Sequence, residues 1–455
     1  MNVPLNLICT LNTPAIPVTA QPRLVYLLLE VQGTGGPAVL PVNLAIVVDV
    51  SDSMHIRLVT EEQFRQLARR GYLRETLVDG VPAWQSEGIP EEVLASFPRK
   101  IDRVRDALRA AVEQLRPNDR FSLVAFAGRA VTLIPNSPGS EKRRLLGAVE
   151  GLDGLQLGDE TRIGQGMKQG LEELGRGAYP GLAPRMLVLT DGFTLDEKDC
   201  RALAQQAVRY RIPISTMGLG GEFNEELMIP IADQTGGEAY LLENPEDIPA
   251  AFARELQRAQ AVQYRNLEVK LRPTPGVEVR AAHRVRPSIA PLETVNEGGS
   301  YSFPLGDLLA GEEPALLVEL IVPPRPAGTY RLAQALVSCD DPAGGMASLK
   351  ARADVVAEYT ADMARAAQVV PRVMHVVEAV SAYRLQARAQ ADLAAGDVAG
   401  ATRKLRAAAT RLLEMGEAEL AAEMERQAAD LESGRVDPSR TKKLRYETRR
   451  LTQKL

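Results

Sequence analysis

An α/β fold on a mostly parallel sheet, joined to antiparallel strands and followed by an all-α C-terminal region, is predicted by three observations. Strand-like runs end abruptly in polar loops: Leu44-Ala45-Ile46-Val47-Val48 enters Asp49-Val50-Ser51-Asp52-Ser53, and Arg185-Met186-Leu187-Val188-Leu189 enters Thr190-Asp191-Gly192. Segments of period two, such as Leu267-Glu268-Val269-Lys270-Leu271, take over once this region is passed. From about Val356 onward the apolar spacing changes to three and four, as one face of a helix requires.

The first loop carries the candidate chemistry. Asp49, Ser51 and Ser53 alternate along a turn leaving a strand, which sets three hard oxygens on one side. Mg²⁺ takes six oxygens and keeps several of its waters, so a protein needs to supply only a few ligands. One carboxylate and two hydroxyls leave such a cation under-compensated and able to attract a carboxylate from outside. Alone, the pentapeptide is also an ordinary turn, because Asp and Ser bond to their own backbone there. Downstream, Gly158-Asp159-Glu160-Thr161-Arg162-Ile163-Gly164 puts Thr161 in a polar loop before a helical stretch, and Asp191 closes another strand. Loops of this kind converge where open parallel sheets bind ligands, outside the carboxyl ends of the strands.

With these residues in order, the segment from about Val42 to Val262 resembles a von Willebrand factor A domain with a complete metal-ion-dependent adhesion site, of the bacterial calcium-activated-chloride-channel-like type. The pattern Asp-x-Ser-x-Ser, then Thr, then Asp falls on Asp49, Ser51, Ser53, Thr161 and Asp191. Pro117-Asn118-Asp119-Arg120-Phe121-Ser122, Ile214-Ser215-Thr216-Met217-Gly218 and Ile231-Ala232-Asp233-Gln234-Thr235-Gly236-Gly237 also fit. The resemblance covers about half of the chain. It implies a doubly wound, Rossmann-like, mostly parallel sheet. It also implies Mg²⁺ as the metal (Mn²⁺ or Ca²⁺ as alternatives), held directly or through water by those five residues, with an Asp or Glu of a protein partner completing the sphere. Asp159 and Glu160 depart from the small residues common beside that threonine. Their charge would strengthen metal retention and weaken the pull on a partner carboxylate.

At 455 residues the chain exceeds what one core usually supports, so two or three domains are expected. A formal net charge of −5 argues against nucleic acid as partner. Cys9, Cys200 and Cys339 lie far apart with neither zinc spacing nor a disulfide framework, which favours a reducing compartment. With no basic leader before an apolar core and no run long enough for a membrane span, a cytoplasmic location is expected. No pattern specifies an oligomeric state.

Asn6 to Leu11 and Leu24 to Val31 read as strands separated by a Pro/Thr loop. Val277 to Arg280, Ser300 to Pro304, Ala315 to Val322 and Tyr330 to Ser338 follow on the far side. The economical arrangement is a discontinuous β-sandwich of residues 1–40 and 262–355, with a domain of residues 41–261 inserted in it. Similar layouts occur in bacterial relatives of the same type and in the inner coat proteins of secretory vesicles. A helical bundle would occupy 356–455.

The first helix of the inserted domain begins near Lys100, with Val104, Leu108, Ala111, Val112 and Leu115 on its apolar face. Residues 55–99 are then an insertion at the rim of the candidate site. It contains a helical piece from Glu61 to Arg70 and Trp84 in a turn-forming stretch beginning Asp79-Gly80. It reads equally as a lid or recognition surface and as a packed decoration.

In the last region Val369, Val370, Val373, Val376, Val377 and Val380 share a face, and Pro371 kinks the helix or begins a new one. Breaks at Gly396-Asp397, Gly416 and Gly434 suit either tetratricopeptide-like repeats or an ordinary bundle. Glu417, Glu419, Glu423, Glu425, Asp430 and Glu432 precede a basic end of Arg440, Lys442, Lys443, Arg445, Arg449, Arg450 and Lys454. These neutralise one another as antiparallel neighbours, or the basic end docks an acidic partner.

No phosphate-binding Gly-rich loop ends in Lys-Ser or Lys-Thr, and Gly218-Leu219-Gly220-Gly221 lacks a third spaced glycine. His55, His283 and His375 are scattered, and no nucleophile–base set is readable. The expectation is therefore a metal-dependent protein-binding or scaffold protein and not an enzyme. Its rivals are an accessory subunit of a bacterial ATPase or of a kinase/phosphatase module and, less favoured by charge, an RNA-binding protein.

Overall fold

The computed structural model describes residues 5–34, 40–57, 59, 61–78, 81–86, 88–178, 181–220, 223–342, 344–345, 347–435 and 437–454. The strand Val42–Asp49 is buried from end to end because its sheet is covered on both faces. Val42, Leu44, Ile46 and Val48 enter one apolar cluster with the helices Lys100–Gln114 and Ile248–Gln260. Ala45 and Val47 enter a second, with the helices Ile163–Arg176, Glu197–Tyr210 and Glu225–Thr235.

The sheet runs Ala239–Leu242, Ile214–Leu219, Ala183–Thr190, Val42–Asp49, Arg120–Phe126, Ala130–Pro138. Every pair is parallel except the last, which is antiparallel. The chain leaves Val42–Asp49 first toward one side and later returns on the other, so that strand borders the topological switch point. The helix Ile163–Arg176 lies close to the sheet through two glycines. A Cβ at Gly166 would stand 2.7 Å from Val47, and one at Gly170 would stand 2.8 Å from Met186.

Two antiparallel sheets are built from chain on both sides of this α/β unit. One contains Leu5–Leu11, Arg23–Gly33, Ala315–Val322, Glu278–Arg286 and Ala290–Leu292. The other has Val262–Pro273, Ser300–Leu309, Gly328–Asp341 and Ala347–Thr360 at its centre. Leu27, Leu29, Leu316 and Val318 from the first meet Val269, Phe303, Val337 and Val355 from the second in a common apolar cluster.

The outer face of the first sheet is covered in turn. Leu28 and Leu317 pack with Val373, Leu405, Leu412 and Met424 of the C-terminal helices. Those helices, Pro371–Ala394, Val398–Glu414, Ala418–Glu432 and Pro438–Arg449, are separated at Gly396, Gly416 and Gly434, each at positive φ as a helix-terminating glycine requires.

Three readings need correction. Ala15–Pro17 is a short strand inside the supposed Pro/Thr loop, pairing parallel with the end of Ala347–Thr360. That last strand shows that 356–360 is not helical: Val355, Ala357 and Tyr359 face the core while Val356 and Glu358 face out. Val369 is exposed and lies outside the apolar face, because Pro371 starts the helix at its first turn.

Arg440, Lys442, Lys443 and Arg449 of the basic end find acidic partners inside the chain. Arg440 pairs with Glu423 at 2.8 Å and Asp430 at 2.5 Å, as antiparallel neutralisation predicts. Lys442 and Lys443, however, reach Glu225 (3.1 Å) and Glu243 (2.8 Å) of the α/β unit.

Candidate metal centre

Asp49 ends the central strand and is fully buried. Its Oδ1 accepts the Ser51 amide at 2.9 Å, which folds the loop back on itself, and its Oδ2 accepts the Thr190 hydroxyl at 2.8 Å. Ser51 and Ser53 hydroxyls lie 3.1 Å apart, and Ser53 Oγ donates to Asp191 Oδ1 at 2.7 Å. The register explains the meeting of loops distant in sequence: Val48 pairs with Leu189, so the loops after both strands open side by side.

Thr161 arrives from the loop before Ile163–Arg176. Its carbonyl accepts the Leu195 amide at 3.0 Å and the Thr194 hydroxyl at 3.2 Å. A Cβ on Gly192 would lie 3.9 Å from Thr161 Oγ1, so the threonine hydroxyl stands beside the Asp191 loop. Asp196 braces the same corner by accepting the amides of Gly164 (3.1 Å) and Gln165 (3.2 Å) at the start of that helix. All five sequence-predicted residues thus lie on three adjoining loops at the carboxyl end of the sheet.

Sequence reasoning missed Lys100. Its Nζ meets Asp191 Oδ2 at 2.6 Å, with the Asp191 side chain only 1% exposed. In the sequence Lys100 reads only as a helix start. The neck of the insertion holds it there: Arg57 bridges to Arg99, Arg57 Nη1 donates to the Phe97 carbonyl at 3.0 Å, and the Lys100 amide reaches the Ile56 carbonyl. Beyond the neck lie the helix Glu61–Arg69 and the hairpin Leu73–Val78 with Val81–Ser86. The Trp84 side chain and the Asp79-Gly80 turn fall outside the described residues. His55 faces Asp153 at 3.9 Å and not the oxygen cluster. Glu160 is paired with Arg162 at 2.8 Å, while Asp159 is exposed.

The donor set suits a hard divalent cation. Two carboxylates and three hydroxyls supply only oxygen, and Thr161 Oγ1 makes no hydrogen bond among the described residues. Burial pushes the Asp49 carboxyl up to about 6, and the nearby Asp191 charge adds to the rise; hydrogen bonds from Ser51 and Thr190 oppose it. Two buried carboxylates thus face one ammonium, a negative excess that a bound cation relieves. A cleft of about 810 Å³ opens elsewhere, lined by Tyr240, Arg254, Arg258, Arg286 and Tyr446, and none of the five residues lines it.

The Asp49 shift makes native stability, and the affinity expected for a cation, depend on pH. Its folded pKa lies above the ordinary 3.8, so the native state holds that proton more tightly than the unfolded chain. Native stability contributed by this group is therefore present at low pH and lost as pH rises through about 6. A cation must displace the same proton. Apparent Mg²⁺ affinity is expected to fall about tenfold per pH unit below about 6 and to level off above pH ~7, as calorimetry between pH 5 and 8 would read.

Comparison with known proteins agrees with this architecture. The von Willebrand factor type A domain family model matches residues 95–254, and the Sll0103-like, C-terminal alpha-helical domain model matches 371–454. The Synechocystis protein sll0103 is 27% identical over 254 residues, covering 55% of this chain and 60% of that protein. Escherichia coli YfbK is 23% identical over 228 residues, covering 49% of this chain and 38% of its own. The chain therefore spans only part of these relatives, 60% and 38% of their lengths. Among solved structures, a von Willebrand factor type A protein from Catenulispora acidiphila superposes with a TM-score of 0.73 at 17% identity, over 98% of this chain and 96% of that one. The ArnB paralog VWA2 from Sulfolobus acidocaldarius gives 0.60 at 15% identity over 99% of each. At these identities the likeness is one of fold.

Proposed function

Starting from a chain that carries a von Willebrand factor A domain, we propose that it is a metal-dependent binding protein, not an enzyme. Asp49, Ser51, Ser53, Thr161 and Asp191 form a complete adhesion-type site for Mg²⁺, with Mn²⁺ or Ca²⁺ as substitutes. When bound, the cation supplies a positive centre to which a partner's Asp or Glu is drawn. The observation that carries this reading is the all-oxygen cluster at the sheet's switch point, with Asp49, Ser51 and Asp191 buried, Ser53 and Thr161 half-buried, and an excess of carboxylate over ammonium. A single metal bond does not make an interface; roughly 1,000 Å² or more of buried surface must come with it.

The division of labour we propose follows the layers. Residues 41–261 form the metal-binding domain, with the insertion 55–99 at its rim, in the manner of bacterial calcium-activated-chloride-channel-like relatives. Residues 1–40 and 262–360 form a sandwich that carries it, and 361–455 form a helical brace. The free thiols of Cys9, Cys200 and Cys339, all raised by burial, suit a cytoplasmic setting. The direct test uses the full chain, wild type and Asp49→Ala, in Mg²⁺ and in EDTA. Calorimetry is expected to lose the Mg²⁺ signal in Asp49→Ala, and affinity capture to lose the same partner in the variant and in EDTA. A partner retained under both conditions would make the site structural.

A further inference from the structure

We infer that the partner segment presents one carboxylate between large apolar side chains, and that Phe193, Leu195 and Ile56 form the apolar collar receiving it. This rests on the metal-capture reading and narrows it to a class of partner.

Phe193 is 60% exposed, whereas the other seven phenylalanines are buried or half-buried. It stands two residues beyond Asp191. Along residues 191–196 the side chains alternate: Asp191, Thr194 and Asp196 turn inward, while Phe193 and Leu195 (66% exposed) turn out. This is not a loose loop. The Leu195 amide is bonded to the Thr161 carbonyl, and the Thr194 hydroxyl binds that carbonyl and Asp196 Oδ1 at 2.6 Å. The Phe193 ring is flanked by the Lys442 ammonium, 5.6 Å from its centroid.

Ile56, 56% exposed, belongs to the opposite loop: its amide bonds to Ser53 and its carbonyl accepts the Lys100 amide. Exposed apolar residues scattered singly are ordinary. Three set on the loops that carry Ser53 and Asp191, with Leu195 bonded through its amide to the Thr161 carbonyl, make a collar around one point.

Charge then selects the occupant. A divalent ion together with Lys100 outweighs Asp49 and Asp191, so the centre attracts a carboxylate. The surroundings do not attract more of them: Asp52 and Asp159 are exposed and negative, and Glu160 is already paired with Arg162. An acidic stretch would be repelled, whereas one Asp or Glu flanked by Leu, Ile, Met or Phe meets the ion with its charge and the collar with its neighbours.

The test is selection on the full-length protein in Mg²⁺ from a phage-displayed library of peptides with a fixed central Asp, eluted with EDTA. On the wild type, large apolar residues are expected within two positions of the Asp at roughly fourfold or more over the input, the worth of about one buried methylene. On Phe193→Ser/Leu195→Ser that enrichment disappears while calorimetric Mg²⁺ affinity stays within about twofold, a difference smaller than one such group supplies. EDTA-eluted peptides rich in polar or acidic neighbours, no enrichment at all, or an apolar preference surviving in the variant would each overturn the collar. Peptides that remain bound in EDTA would instead overturn metal capture itself, whatever their composition.

Discussion

Asp233→Ala is expected to destabilise the folded chain by about 3–5 kcal/mol, the cost of stranding a buried charge. Asp233 lies on the helix Glu225–Thr235 of the α/β unit. Its Oδ1 accepts Arg284 Nη2 from the antiparallel strand Glu278–Arg286 at 2.7 Å and Arg449 Nη2 from the last helix at 2.6 Å. Both guanidinium groups are about 5% exposed or less. One carboxylate thus joins all three layers.

Arg284 would keep the Ser288 carbonyl and hydroxyl as acceptors, but Arg449 Nη1 already has no partner among the described residues. Arg449 is therefore the group left uncompensated. Asp233→Asn, which retains an acceptor and loses the charge, should fall between wild type and alanine. Adding Arg449→Met to Asp233→Ala should cost less than the sum of the single changes, with a coupling of about 1 kcal/mol or more. Urea denaturation combined with limited proteolysis of the last helix reads both quantities. A loss below about 1 kcal/mol, with the helix still protected, would mean that water replaces the carboxylate.

Lys100→Met is expected to move stability and metal affinity in opposite directions. Without metal, removing the ammonium from Asp191 Oδ2 leaves a nearly inaccessible carboxylate unpaired, and the melting temperature should drop. With Mg²⁺ the same carboxylate gains a cation and loses a rival, so most of that drop should be recovered. The apparent Mg²⁺ Kd should tighten about tenfold or more, which corresponds to about 1.4 kcal/mol. Titration calorimetry and metal-dependent melting give the two numbers on one protein. Weaker Mg²⁺ binding by the variant would show instead that Lys100 orients Asp191 for the ion.

Much of the site was readable because its parts are local. Asp49, Ser51 and Ser53 fall within one turn, and the Ser51 amide bond to Asp49 is made two residues away. Thr161 and Asp191 each stand where a strand gives way to a polar loop or a loop to a helix. Strand Ala315–Val322 could be read to the residue because Pro314 and Pro323 bracket its apolar run. Lys100 could not, since its partner is 91 residues away and a lysine at a helix start has many possible uses. The strand Ala347–Thr360 was partly lost because alanines on its inner face and charged residues on its outer face imitate a helix.

The sequence by itself determined the strand-to-loop junctions at Asp49 and Asp191, the oxygen spacing and the helix-stopping glycines, because each depends on backbone geometry within a few residues. Only the tertiary structure decided what neutralises what. Asp191 meets Lys100, Asp233 gathers Arg284 and Arg449, and the basic last helix turns onto the α/β unit. The pairing of Asp233 with Arg449 spans 216 residues. Such pairings follow from which apolar faces must be covered, and burial then requires each stranded charge to find its counter-ion.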